Sequence, residues 1–101
     1  MKYYELHAEL HGIQEPSLTL NELKVIKETP KQIQIEGSKT YLSRVNKCDL
    51  LKIKASSCSY TVIFVEGQED EAMTILKETM EGKLNYFQDK VERYKNILKE
   101  L

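Results

Sequence analysis

Apolar and polar residues alternate cleanly over Tyr3 to His11, with Tyr4, Leu6, Ala8 and Leu10 on one side and Tyr3, Glu5, His7, Glu9 and His11 on the other. Period two over nine residues predicts a β-strand with one buried and one solvated face. Gly12 and Pro16-Ser17 mark a loop, after which Leu18 to Glu28 resumes a strand pattern. Leu23, Val25 and Ile26 interrupt strict alternation there, which predicts a bulge or bend near Asn21. Thr29-Pro30-Lys31 is a turn, because proline fixes φ and has no N–H for a ladder. Gln32 to Glu36 follows as a short strand with Ile33 and Ile35 inward, and Gly37-Ser38 turns again.

Thr40 to Asn46 reads as a fourth strand, with either Tyr41, Ser43 and Val45 or Leu42 and Arg44 facing the core. Lys47 to Lys54 is ambiguous, and Asp49-Leu50-Leu51 fits one helical turn. Cys58 to Val65 carries the strongest strand signal, in Tyr60, Thr61, Val62, Ile63, Phe64 and Val65. From Gln68 to Leu101 the period changes to that of a helix. Ala72, Met73, Ile75, Leu76, Thr79 and Met80 form a broad apolar face suited to a sheet. Beyond Gly82 the stripe narrows to Leu84, Phe87, Val91, Tyr94, Leu98 and Leu101, whose 3-4 steps are the heptad seam of a coiled coil.

These elements predict an α+β fold: an antiparallel β-meander of about five strands over residues 1–67, then one long helix over 68–101. The two regions make a single domain. A helix of that length reaches about 50 Å, while a compact chain of 101 residues has a radius of gyration of about 13 Å. Its narrow stripe therefore extends past its own sheet, and the expected partner is another copy of the chain. Lys83, Gln88, Lys90 and Lys95 flank the seam and repel one another in a simple parallel pair.

Composition narrows the functional classes. At 41% hydrophobic and 31% charged the chain is that of an ordinary soluble domain. No apolar run is long enough for a bilayer, and the opening residues carry no signal region, so a cytoplasmic protein without a membrane partner is expected. The net charge of −1 argues against duplex DNA as a partner. Charge is unevenly distributed: Lys24 to Lys54 holds eight bases and three acids, which suits an anionic ligand on one face.

No catalytic pattern stands out. The chain has no serine elbow and no glycine-rich phosphate loop, and its two histidines fall on the first strand, so no enzyme and no cofactor are expected. His7 and His11, with Cys48 and Cys58, lack the tight paired spacing of a zinc site; no metal is expected, and a solvated face explains the Glu-His alternation. The two cysteines read as reduced packing residues. The stretch best equipped for a ligand holds Tyr41, Arg44, Asn46 and Lys47. Tyr41 offers a stacking face, Arg44 a planar fork for phosphate, Asn46 a two-way amide for a base edge and Lys47 a further positive charge. A packed Tyr41 and a surface ion pair at Arg44 are the structural alternative.

Three stretches carry a resemblance: Lys2-Tyr3-Tyr4-Glu5-Leu6, Val25-Ile26-Lys27-Glu28-Thr29-Pro30-Lys31, and Tyr60-Thr61-Val62-Ile63-Phe64-Val65 leading into an acidic helix. In the style and order of its elements the chain resembles small accessory proteins encoded by phages and prophages of Gram-positive bacteria. That resemblance implies a non-enzymatic role against host antiviral defence, in the host cytoplasm, by sequestering a nucleotide-type immune signal. A protein–protein inhibitor of a defence effector, of anti-CRISPR kind, is the alternative, and a structural or regulatory oligomer a third.

Overall fold

The computed structural model describes residues 1–10, 16–56 and 58–101. Its strands are β1 (Tyr3–Glu9), β2 (Ser17–Glu28), β3 (Gln32–Glu36), β4 (Arg44–Asn46), β5 (Lys54–Ala55) and β6 (Ser59–Val65), and helix α1 spans Glu69–Glu100. A short 3-10 turn, Lys47–Asp49, follows β4. All pairings are antiparallel, in the order β4-β3-β2-β1-β6-β5. The α+β layout of a sheet and one long C-terminal helix stands as the alternation implies. Strands β1 to β4 form the meander; β6 then returns to the far side of β1, and β5 adds a sixth strand.

The sheet curls, so its central strands are covered on both sides. On the concave side Tyr3, Leu23, Ile33, Ile35, Val45 and Ile63 form one buried cluster. On the convex side Leu6, Ala8, Val62 and Phe64 pack against Ala72 and Leu76 of α1 in a second. Burying each such side chain contributes about 1.5–3 kcal/mol. The solvated face expected for β1 is therefore a correction: Glu5 is 0% and His7 4% exposed. Curling brings residues from distant strands over that face, which a period-two pattern cannot register.

Local differences have local causes. The irregularity in β2 falls between Val25 and Lys27, not near Asn21, and leaves Ile26 exposed as the extra residue. The fourth strand is cut to Arg44–Asn46 because Tyr41 takes φ 59, a left-handed conformation that ends the ladder. Of the helical face expected on the sheet, Met73 is exposed.

Helix α1 leaves the sheet after Met80, and every residue from 81 to 101 is exposed. The chain measures 60 × 25 × 19 Å with a radius of gyration of 17.0 Å. It thus exceeds the roughly 13 Å of a compact domain of this size. Among the described residues no helix is long and apolar enough to cross a membrane.

Candidate functional site: a basic cleft between the sheet edges

Strands β4 and β5 are the two edges of the sheet. Curling brings them to opposite walls of one cleft, and the segment from Lys47 to Ile53 crosses between them. The Leu51 N–H donates to the Ile63 carbonyl at 2.9 Å and ties this crossing to β6. Leu51 adopts φ 61 to make the turn. The resulting cleft encloses about 430 Å3.

Its chemistry is split between wall and rim. Val45 and Ile63 provide apolar wall, with Thr61 among them, and Ile53 borders the cleft while packing against the helix-side cluster. Arg44, Lys52 and Lys54 stand at the rim with one acid, Asp49. Among the described residues none of these three cations forms an ion pair. Three cations against one acid around a half-apolar recess are a chemistry that suits an anion with an apolar part.

Behind the wall lies a buried polar row. His7 Nδ1 is 2.8 Å from Thr61 Oγ1, so this imidazole backs the cleft floor. Among the described residues no hydrogen bond reaches His7 Nε2; Glu9 Oε1 stands 3.5 Å away. Glu5 accepts from Ser38 Oγ at 2.6 Å and from the Lys39 N–H at 2.8 Å. These bonds lock the 37–40 turn onto β1 and fix the approach to β4.

Of the four ligand candidates the structure brings two to the cleft. Arg44 borders it from edge strand β4 and also borders a second recess with Lys27, Thr29, Gln32 and Gln34, on the face of β4 opposite Val45. Asn46 borders the cleft too, and its Oδ1 accepts from Gln32 Nε2 at 2.9 Å. Tyr41 does not join them: it is 95% exposed and borders a shallow recess with Ser38 and Lys39. Lys47 turns away from the cleft, and its Nζ donates to Glu28 Oε2 at 2.8 Å. That bond raises the Lys47 pKa and lowers that of Glu28. Tyr3, whose hydroxyl donates to the same carboxylate at 3.3 Å, has its pKa raised by burial first and by the Glu28 charge second.

Lys52, Lys54 and Thr61 are the site residues that pattern reading missed. The alternation Lys52-Ile53-Lys54 is the available signal, because period two sets the two lysines on one face and Ile53, which packs against the helix-side cluster, on the other. Cys48 and Cys58 are free and exposed, not packing residues. Among the described residues no group of three metal-ligating side chains comes together; His11 lies outside them. No protein family, curated protein or solved structure matches this chain.

Proposed function

We propose that the protein captures a small phosphorylated ligand of nucleotide type in the cleft between β4 and β5 and holds it without transforming it. The observation that carries this reading is a recess of about 430 Å3 bordered by Arg44, Lys52 and Lys54, none of which forms an ion pair among the described residues. Pockets for small molecules run from about 300 to 1,000 Å3, so the recess suits one nucleotide unit. Arg44 has the planar fork that matches a phosphate, and the lysines add compact charge. Val45 and Ile63 offer apolar surface for a base or sugar, and the Thr61 hydroxyl, 2.8 Å from His7 Nδ1, is a directional group among them.

The resemblance to phage accessory proteins supports a counter-defence role, in which the captured ligand is a host immune signal. Titrating the protein with linear and cyclic nucleotides while following its melting temperature tests the reading. A binder raises the midpoint and is recovered chemically intact by mass spectrometry after denaturation; Arg44→Ala weakens it at least tenfold. No shift with any nucleotide, or recovery of a converted product, overturns the reading.

A further inference from the structure

The cleft leaves a second feature unused, and it does not depend on the ligand reading. Among the described residues, two exposed apolar surfaces lie along the helix and beside its root. One is the helix tail, where Leu84, Phe87, Val91, Tyr94, Leu98 and Leu101 are all exposed. The other is a strip on the convex face beside the helix root: Leu18 (58% exposed) and Leu20 (53%) of β2, with Met73 of α1. We propose that the protein is an antiparallel two-fold dimer in which each copy's helix tail lies on the Leu18–Leu20–Met73 strip of the other.

The geometry of one chain points there. A single helix is about 10 Å wide and covers about two strands at 4.8 Å spacing. Here it covers β1 and β6 and leaves β2 bare. Ile63, inward on β6, gives its carbonyl to the Leu51 N–H, which fixes β5 on one side of β6 and β1–β2 on the other. A right-handed helix running antiparallel to β6 then turns Met73 toward the β1–β2 side. Continuing at 100° per residue, Phe87, Val91, Tyr94 and Leu98 point between that side and the sheet. A two-fold axis perpendicular to the sheet near Asn85 sets the tail of one copy beside the root of the other. Its stripe then faces both Met73 and the β2 leucines.

Charge and area agree with a second copy in that orientation. The root, residues 69–82, carries five acids and one base; the tail, residues 83–101, carries five bases and three acids. Helix dipoles favour this sense of asymmetry only in the first and last turns, whereas Glu78, Glu81, Lys83 and Lys90 lie in mid-helix. Antiparallel packing sets basic tail against acidic root, while parallel packing sets Lys90 against Lys95. A tail of 19 residues is about 28 Å long, so two reciprocal contacts about 10 Å wide remove on the order of 1,100 Å2 from water. A biological interface should clear about 1,000 Å2, and areas below about 1,200 Å2 belong to weak, reversible association, as in a monomer–dimer equilibrium.

The test uses the full chain with Cys48→Ser and Cys58→Ser, spin-labelled at Glu100→Cys. Sedimentation velocity across the micromolar range is expected to show a monomer–dimer equilibrium, and pulsed electron resonance a label separation of about 45 Å. A separation under about 20 Å means parallel helices, and one of about 20–25 Å means tails paired only with each other; either overturns the proposal. So does a monomer at every concentration, which leaves the tail to a different protein. Leu20→Glu, at an exposed position and with its fold checked by circular dichroism, is expected to raise the dimer dissociation constant at least tenfold. An unchanged constant removes the β2 strip from the interface.

Discussion

The Lys47 ammonium donates to Glu28 Oε2 at 2.8 Å, linking the turn after β4 to the end of β2 across the intervening β3. The carboxylate also receives the Tyr3 hydroxyl, so one group at the rim of the concave core fixes three elements. The pair sits outside the cleft, which makes it a probe of the scaffold independent of ligand.

Its pH dependence follows from the signs of the two shifts. The Glu28 pKa is lowered in the fold by the Lys47 hydrogen bond. Its contribution is therefore present above the ordinary carboxylate pKa and is lost as pH falls through the lowered value. The Lys47 pKa is raised by the same bond, so that contribution is complete below the ordinary lysine pKa and is lost as pH rises through the raised value. Glu28→Gln is expected to flatten the acid limb of a stability–pH curve measured by urea unfolding, and Lys47→Gln the alkaline limb. Unchanged limbs would show the pair to be energetically idle.

Glu5 should behave differently, because it is fully buried with two hydrogen bonds to the 37–40 turn. Glu5→Ala leaves the Ser38 hydroxyl without its acceptor and opens a cavity, at a cost of about 2–4 kcal/mol in denaturant unfolding. Glu5→Gln keeps the volume and one acceptor and is expected to lose less than half of that. If alanine costs no more than a surface substitution, the turn is not held by this carboxylate.

How much of this was legible in the chain depends on the range of the interaction. Ile33 and Ile35 were read inward from alternation alone, and both are buried because β3 is central enough to obey period two. The 3-4 stepping of Leu84 to Leu101 likewise announced a helix that leaves its sheet. Burial of Glu5 was not readable, since its partner Ser38 lies 33 positions away and only the curl brings them together. Strand β5 is two residues long and too short for any periodicity. The cleft joins Arg44 to Lys54 across the two edges of the sheet, a closure that no local pattern encodes.

Within the proposed ligand site, Arg44 and Lys54 are separable from Tyr41 and Lys47. Removing either cleft cation is expected to weaken nucleotide binding at least tenfold, as the net value of about 1.5–3 kcal/mol for a hydrogen bond to a charged group implies. Tyr41→Ala and Lys47→Ala should stay within about twofold of the parent protein, as neither lines the cleft. Isothermal titration of the four variants with one nucleotide checks this. Equal losses at all four would point to a diffuse field, not a built site.

Gly82 gives the last prediction. It sits inside α1, where glycine costs about 1 kcal/mol relative to alanine, and the helix nevertheless runs unbroken through it. Apart from its chain neighbours and the helix's own backbone, no atom of the described residues lies within 4 Å of where a Cβ would stand. At 100° per residue, position 82 points away from both the sheet and the seam of Val91 and Leu98. The dimer proposed above leaves this face of the helix uncovered. Gly82→Ala is expected to stabilise the helix by up to about 1 kcal/mol in thermal unfolding and to leave the dimer dissociation constant within twofold. A variant that folds as before but dissociates would put another chain against this face of the helix, and the two-fold axis proposed near Asn85 would have to be turned about the rod.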